Sequence, residues 1–351
     1  MSDAQVSHVG FLTGGVFAAW TVLCKQSLTG ALWVVRGICL IAAGALAVLA
    51  MPAAARVLEV GPGQALTTPD QAAAVAKDGD RVVFDPGVYR TCAIWQASHL
   101  VIEARQPPPT MNQTVMNQTI VTGPTCGDRG LFVFIGDDIT VRGITFLHAR
   151  SSWHTGAGIL MEGANLLVQN SQFLDNEDGI LAGGPPTSVV RIEYTLFRGN
   201  GSCEGACAHA LYIGKRIARL EVTGCVFLET HVGHDIKSRA RATLVRDSRI
   251  ESGATGTSSY LIELPNGGDG AILNNQLHKG ANSQNKEVAI SIGTEDGRNP
   301  ANELVIRGNR FTSDLPESVR FVRNLTQTPA RLTGNTLIGK VIPLEGPGTV
   351  E

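Results

Sequence analysis

The sequence has little charge of either sign and few aromatic side chains. Its 351 residues include 29 Lys and Arg against 31 Asp and Glu, which gives a formal net charge of −2, and aromatic residues make up 5%. Proteins that bind nucleic acids usually carry a clustered basic excess, so we expect no nucleic-acid partner. Glycine is abundant instead, at 40 residues, and 43% of the chain is hydrophobic. This composition indicates a globular protein with one large domain or two small ones.

The chain also lacks an apolar run of the usual transmembrane length. Residues 37–51 are apolar throughout and lie between Arg36 and a Pro-Ala-Ala-Ala sequence at 52–55, but a bilayer span needs about 20 apolar residues. A positive flank, a short apolar core and small residues at its end predict a bacterial secretory signal cleaved after Ala55, and hence a periplasmic or extracellular protein. Because residues 10–23 are also rather apolar, a retained membrane anchor is the alternative.

Five of the seven cysteines lie beyond residue 55, and their odd number leaves at least one thiol unpaired within the chain. Cys203 and Cys207 are close in sequence and could form a small disulfide in an oxidising compartment. The others are Cys92, Cys126 and Cys225. A four-cysteine zinc site is the alternative, but the sequence lacks the paired Cys-x-x-Cys spacing typical of such sites.

The residues after the signal segment predict a helix followed by short strands. Residues 68–77 begin with Thr-Pro-Asp, which suits a helix start, and continue with alanines. Turn sequences at 78–80 and 85–87 enclose a short apolar strand at 81–84. This arrangement resembles the N-terminal part of right-handed parallel β-helix proteins of the pectin-lyase-like superfamily. The resemblance implies that the helix caps the open end of the coil, which would otherwise expose strand edges and core side chains.

From residue 139 onward the chain repeats a short pattern. In each of eight units, an aliphatic residue at position i is followed by a large apolar residue at position i+5, usually with Gly, Asn or Asp between them. Gly and Asn suit tight bends because they tolerate positive φ, and stacked turns bury one another's apolar inner faces. A leucine-rich repeat would need a dense leucine pattern that is absent. The pairs are Val141 and Phe146, Val168 and Phe173, Ile192 and Phe197, Val222 and Phe227, Val245 and Ile250, Ile272 and Leu277, Ile306 and Phe311, and Leu332 and Leu337.

These features predict an all-β fold, a single-stranded right-handed parallel β-helix with a short N-terminal capping helix. We expect residues 56–138 to form the cap and the first turns, residues 139–340 the repeats, and residues 341–351 a C-terminal tail. Residues 106–118 include three consecutive prolines, which do not fit inside a sheet, so we expect a projecting loop there. We expect a monomer that contacts a membrane only through residues 1–55, if these are not cleaved.

A second strand in each unit predicts where a site could lie. Side chains alternate along a strand, so with the central aliphatic residues inside, two columns should face outward. Both columns are small or apolar in the early turns and gain polar residues at turns three to five, where His209 and His234 begin two of the strands. The first column is Leu160, Leu181, Tyr212, Lys237, Glu263 and Ser291, and the second is Gly158, Gly179, Ala210, Asp235, Leu261 and Ala289.

Proteins of this fold class often act on acidic polysaccharides, and the chain resembles the polyuronate lyases in particular. That resemblance implies a Lys base, an Arg acid and calcium held by carboxylates. Here Lys237 would be the base, and Arg239 or Arg246 would bind the substrate carboxylate or donate a proton. Asp235 and Glu263 could hold calcium, because hard carboxylate oxygens suit that ion. The candidate catalytic residues are completed by His209, His234 and Tyr212.

Several alternatives stay open. A C5-epimerase would use the same proton abstraction. A glycoside hydrolase would need two carboxylates as acid and base, for which Asp175, Glu177 and Asp178 are candidates. A non-catalytic protein could use the same long face to bind a glycan or an envelope component. In the plainest interpretation, Lys237 and Glu263 form a cross-strand ion pair worth about 0–1 kcal/mol.

Overall fold

The computed structural model describes residues 55–106, 118–295 and 299–351. The predicted secretory signal at 1–55 and the predicted loop at 106–118 therefore lie outside the described residues, except at their edges. Within the three described ranges, no helix is long and apolar enough to cross a membrane.

The described strands form three parallel sheets, and each turn of the coil contributes one strand to each sheet in succession. Sheet A contains β1 (Val57–Val60), β2 (Arg81–Phe84), β5 (Val101–Ala104), β8 (Ile139–Arg142), β11 (Leu166–Gln169), β14 (Val189–Glu193), β17 (Arg219–Thr223), β20 (Ala242–Arg246), β23 (Asp269–Leu273), β26 (Leu304–Arg307), β29 (Ala330–Thr333) and β32 (Gly348–Val350). Sheet B contains β3 (Gly87–Tyr89), β6 (Thr119–Thr122), β9 (Ile144–Leu147), β12 (Gln172–Leu174), β15 (Leu196–Arg198), β18 (Val226–Leu228), β21 (Arg249–Glu251), β24 (Gln276–Lys279), β27 (Arg310–Ser313) and β30 (Thr336–Ile338). Sheet C contains β4 (Ala93–Trp95), β7 (Gly130–Phe134), β10 (Ala157–Met161), β13 (Asp178–Ala182), β16 (Leu211–Ile213), β19 (His234–Ser238), β22 (Tyr260–Leu264), β25 (Val288–Ile292), β28 (Val319–Asn324) and β31 (Val341–Glu345).

The repeated pairs of the sequence connect sheet A to sheet B, and the predicted parallel β-helix is confirmed. The aliphatic member lies in sheet A, the large apolar member lies in sheet B, and both pack in the core. The residue two places after the aliphatic one has positive φ in all eight units, and it is Gly, Asn or Asp in every unit except at Tyr194. These residues make the bend between the two sheets, which explains why the sequence conserves their type from turn to turn.

Aromatic side chains stack on one another in the interior of the coil, next to these bends. Phe146, Phe173, Phe197 and Phe227 occupy successive sheet B strands, with ring centroids 5.0, 4.9 and 4.5 Å apart. Such spacing matches the separation of neighbouring strands. The stack fixes the register of one turn on the next and thereby positions the outer faces of all three sheets.

The predicted capping helix is present as α1 (Pro69–Val75), with Thr68 as its N-cap residue. Ala72 is fully buried, and the helix packs on β1 and β4 at the start of the coil. The expected C-terminal tail instead forms strands: β31 pairs with β28, and β32 pairs with β29. Val341 and Leu344 pack against the core, so these residues continue the coil for the same reason as the earlier turns.

The cysteines form two disulfides, Cys92–Cys126 and the predicted Cys203–Cys207. Cys225 is the free cysteine of the described residues, and it is buried. Four of the five cysteines are therefore committed to disulfides, and the four-cysteine zinc alternative is wrong.

The sheet C strands depart from strict alternation at their start, where two successive residues point inward. Asp235 and Ile236 are both fully buried, and the pairing of β19 with β22 passes from His234 to Ile236 without a partner for Asp235. In an earlier turn this place is Gly158, where an added Cβ would lie only 2.8 Å from the ring of Phe173. The second column, which we predicted to face outward, therefore faces the interior.

Candidate active site

Tyr212, Lys237 and Glu263 lie side by side on the outer face of sheet C. The register places Tyr212 opposite Lys237 and Lys237 opposite Glu263. Two turns earlier the same column holds Leu160, which is buried in a small apolar cluster with Leu181 packed against it. The outer face thus changes from apolar to charged along the coil, as the first predicted column indicated.

Glu263 is the centre of the buried part of this cluster. Its side chain is 5% exposed, and its Oε2 atom lies 3.1 Å from His234 Nε2 and 3.3 Å from Lys237 Nζ. Its other oxygen accepts a hydrogen bond of 2.8 Å from the Thr294 hydroxyl. Burial alone would raise the pKa of Glu263, but these partners outweigh burial and lower the pKa to about 2. The site therefore contains a fixed, ionised carboxylate.

The rings of His209 and His234 are oriented by backbone N–H groups. The His234 N–H donates to His209 Nδ1 at 3.0 Å, and the Tyr260 N–H donates to His234 Nδ1 at 3.4 Å. A ring nitrogen that accepts carries no hydrogen, so Nε2 is the protonated atom of each ring. In His234 that atom faces Glu263. These N–H groups lie where the strand ladder is interrupted, so the histidines also satisfy backbone donors.

His209 has a further partner in the preceding turn, because its own N–H donates to Asp178 Oδ1 at 2.7 Å. Burial, together with the nearby charges of Lys237 and Arg239, lowers the pKa of His209 well below its usual range. Burial likewise raises the pKa of Asp178 well above its usual range. His209 is thus a neutral ring that positions its neighbours.

Arg239 connects the buried cluster to the surface. Its Nε and Nη2 atoms donate to the two carboxylate oxygens of Glu295 at 3.1 and 2.6 Å, and its Nη1 atom donates to the Tyr212 hydroxyl. Lys237 Nζ lies 3.3 Å from Glu295 Oε1. Burial opposes ionisation of Glu295, but Arg239 and Lys237 lower its pKa below the usual value. Two cations therefore hold one carboxylate at the edge of the cluster.

An open groove of about 650 Å³ borders this edge. Three of its lining residues are basic, and three are glycines, which leave the backbone accessible. An elongated anionic ligand would suit such a groove. The lining residues are Gly183, Gly184, Tyr212, Gly214, Lys215, Arg216, Arg239, Asn266 and Glu295.

The structure does not bring Asp235 or Arg246 into the cluster. Asp235 faces the interior for the reason given above, where it lies near Thr230, Ser258 and Lys279. Arg246 ends β20 in sheet A, a different face of the coil, and its guanidinium lies 3.5 Å from Asp247. The prediction that Asp235 faces outward beside Lys237 is wrong, and Arg246 lies on a different sheet from the other candidate residues.

The two carboxylates that we expected to hold calcium do not fit a shared ion. Asp235 and Glu263 face opposite sides of sheet C, and Glu263 is already surrounded by His234 and Lys237. Across the described ranges, no group of three or more His, Cys, Asp or Glu side chains is arranged to hold a metal. Asp235 and Glu263 therefore do not form a shared site for calcium.

The acidic residues of the hydrolase alternative also have local roles. Glu177 is buried and accepts backbone hydrogen bonds from Ser151 at 2.9 Å and Gly156 at 2.7 Å. Asp178 accepts from the His209 backbone, as described above, and Asp175 is exposed. Two of the three carboxylates thus close loops and do not face a common ligand.

Sequence reasoning missed several residues of the site. Glu295 and Thr294 follow β25 in a loop, and Lys215 and Arg216 follow β16. Periodicity describes strands, and these residues lie beyond the strand ends. A search of the loops that follow the most polar strands would have found them.

Comparisons with known proteins agree with this architecture. Residues 109–250 match a family model described as a right handed beta helix region. The chain therefore has the fold of a right-handed parallel β-helix. No curated protein sequence matches it.

Among solved structures, this β-helix protein is similar to an alginate lyase from Paenibacillus sp. str. FPU-7. The two are 17% identical, with a TM-score of 0.59, over 84% of this chain and 99% of the other. A pectin methylesterase from Aspergillus niger is 8% identical, with a TM-score of 0.45, over 85% of this chain and 92% of the other. At such identities the likeness concerns the fold alone, and function has to be argued from the site.

Proposed function

We propose that this β-helix protein acts on an acidic polysaccharide by abstracting the proton next to a uronate carboxylate, as a lyase or a C5-epimerase. The observation that carries the proposal is the pair of cations, Arg239 and Lys237, that holds a carboxylate beside an open groove. A planar guanidinium binds a carboxylate through two parallel hydrogen bonds. The similar fold of an alginate lyase supports a polyuronate as the substrate.

In the proposed reaction, Arg239 binds the carboxylate of the reacting sugar and reduces its negative charge. This stabilises the enolate-like anion that forms when the adjacent C5–H bond breaks. Lys237 takes the proton. The released electron pair forms the C4–C5 double bond as the C4–O bond breaks, and the Tyr212 hydroxyl gives its proton to the departing oxygen. In an epimerase the anion would instead be protonated on its opposite face.

Glu263 and His234 would position Lys237 in this reaction. Glu263 is buried, ionised and fixed by three partners, so it holds the ammonium group in one place between turnovers. A lysine base must be neutral when the substrate is bound. Lys237 would therefore have to release its ammonium proton to solvent before it takes the C5 proton.

Tyr212 is the alternative proton acceptor, because its hydroxyl oxygen accepts a hydrogen bond from Arg239 and lines the groove. In that case Lys237 would serve only as a cation that neutralises the substrate. Tyr212→Phe and Lys237→Ala distinguish the two assignments. The variant that lacks the base should lose hydrogen exchange at C5 as well as turnover, whereas the variant that lacks the acid should retain exchange.

The test is to incubate the purified protein with a panel of polyuronates, with calcium and with a chelator, and to follow the ultraviolet absorbance of unsaturated sugar ends. A rise in absorbance would establish β-elimination, and the two arms would show whether calcium is required. If absorbance stays flat while NMR detects inverted C5 centres, the protein is an epimerase. Binding without either change would favour the non-catalytic glycan-binding alternative.

A further inference from the structure

Glu295 makes the contacts that a substrate carboxylate would need. Both of its oxygens accept hydrogen bonds from one edge of the Arg239 guanidinium, at 3.1 and 2.6 Å. One oxygen also lies 3.3 Å from Lys237 Nζ. A uronate carboxylate in the groove would bind the same edge of the Arg239 guanidinium and the same ammonium group. The remaining nitrogen of Arg239 is not available to it, because that nitrogen donates to the Tyr212 hydroxyl. The two carboxylates cannot occupy this place together.

The side chain of Glu295 is free to leave, whereas that of Glu263 is not. The Glu295 side chain is 43% exposed and lines the groove, against 5% exposure for Glu263. Its main chain is held separately: its N–H donates to the Pro265 carbonyl at 2.7 Å, and its carbonyl accepts from Asn266 Nδ2 at 3.0 Å. Rotation of the side chain therefore needs no movement of the backbone.

We propose that Glu295 is a resident carboxylate that occupies the substrate-carboxylate position in the free protein and is displaced when a uronate binds. The identity of the displacing ligand rests on the function proposed above. Glu295 lowers the affinity for every anionic ligand, because each must compete with a tethered carboxylate. It also keeps Arg239 paired in the free protein and gives Lys237 a second carboxylate beside Glu263.

This arrangement selects for a carboxylate. A neutral methyl ester of a uronate offers one carbonyl oxygen to Arg239 and brings no charge to replace that of Glu295. Such an ester should fail to displace the resident side chain. The groove should therefore discriminate between free and esterified uronates even when both fit its shape.

The experiment measures the binding of sodium D-glucuronate by NMR titration to the full chain and to Glu295→Gln. Glucuronate is a single sugar without a scissile bond, so turnover does not interfere. We expect Glu295→Gln to bind it roughly 10-fold more tightly, because the competing charge is gone. Glucuronate methyl ester should bind neither protein measurably. Glu295→Asp, which keeps the charge but shortens its reach, should lie between the two.

Glu345→Gln is the matched control. Glu345 is 42% exposed, and it pairs with two arginines, Arg320 and Arg323, on the same sheet C, but it does not line the groove. Its loss changes the net charge by the same amount, so the affinity for glucuronate should stay within about twofold of the original, as expected for a distant surface charge. Equal tightening in both variants would overturn the proposal, since it would reflect net charge alone.

Unchanged, weaker or undetectable glucuronate binding by Glu295→Gln would also overturn the proposal. The function proposed above fails in a different way, through the absence of turnover on every polyuronate. A protein with lyase activity but no tightening would retain the function and lose the role of Glu295. A protein without turnover in which Glu295→Gln binds glucuronate more tightly would keep the displaced carboxylate and lose the enzymatic function.

Discussion

Glu263 and Asp235 are buried carboxyl groups on neighbouring strands of sheet C, and they face opposite sides of it. Glu263 lies on the outer face with His234 and Lys237 within 3.3 Å, and its pKa falls to about 2. Asp235 faces the interior, where neither of its oxygens has a well-formed hydrogen bond among the described residues. Glu263 Oε2 has none among them either, but His234 and Lys237 lie close to it. Burial raises the pKa of Asp235 to about 7, against the opposing effects of nearby hydroxyls and of Lys279. Burial alone therefore does not set the charge of these groups.

The lysines of the two regions differ in the same way. Lys237 contacts two carboxylates at the edge of an open groove. Lys279 is fully buried and donates to the Ser259 carbonyl at 2.6 Å, and burial lowers its pKa to about 8, which the charge of Asp235 only partly offsets. The outer region is charged and within reach of a ligand, whereas the inner region is enclosed by the coil. The proposed chemistry therefore belongs to the outer face, and we expect the inner region to affect stability.

The largest expected effect is the loss of activity when Lys237, but not Lys279, is replaced. Lys237→Ala should lower kcat on a polyuronate roughly 1000-fold, the usual scale for loss of a general base. Lys279→Met should leave kcat within about twofold, because Lys279 has no access to the groove, although the variant's stability should change. Thermal unfolding of both variants accompanies the assay. Retention of full activity by a folded Lys237→Ala variant would remove Lys237 from the mechanism.

Much of the fold could be predicted from the sequence, because stacked turns repeat their chemistry. The five-residue step from an aliphatic to a large apolar residue marks the bend between sheets A and B, and Gly224 and Asn274 adopt the positive φ that the bend needs. Such local rules act identically in every turn. The capping helix was predictable for a similar reason, since its start sequence is local.

The site was predictable only where alternation holds. Tyr212, Lys237 and Glu263 follow the period of two, so their common face could be inferred. Asp235 was misplaced because two successive residues turn inward at the start of its strand. The other members of its column are small or apolar, from Gly158 to Ala289, and that pattern is typical of an inner column. Glu295 lies in a loop, where no periodicity gives its position.

A smaller effect is expected on the free energy of unfolding when the outer carboxylate, Glu263, is replaced. Glu263→Gln should lower the free energy of unfolding by about 3 kcal/mol at pH 7, because it removes the buried counter-charge of Lys237. The folded pKa of Glu263, about 2, lies below its unfolded value near 4.3. Its contribution is therefore complete above the unfolded pKa and disappears as the pH falls through 2. Denaturant titrations at pH 7, 4 and 2.5 measure this trend.

Glu345→Gln is again the control, because an exposed pair should contribute at most about 1 kcal/mol. The difference between Glu263→Gln and the original protein should shrink steadily toward pH 2.5. A difference of equal size at pH 7 and pH 2.5 would mean that Glu263 stabilises the fold by packing, and the ionised outer cluster would lose its basis.

The smallest effect should have the opposite sign and belongs to the inner carboxyl group. The folded pKa of Asp235, about 7, lies above its unfolded value near 3.9, so its contribution to stability is present at low pH and is lost as the pH rises toward 7. Asp235→Asn removes this loss. The free energy of unfolding of the variant should match that of the original protein near pH 4 and exceed it by on the order of 2 kcal/mol at pH 5.5. Denaturant titrations between these pH values keep Lys279 protonated, and Asp175→Asn, at an exposed carboxylate, should follow the original curve throughout. If Asp235→Asn instead loses stability as the pH rises, Asp235 is ionised inside the coil and pairs with Lys279. Both carboxyl groups would then be charged, and the two faces of sheet C would differ only in the residues that pair with them.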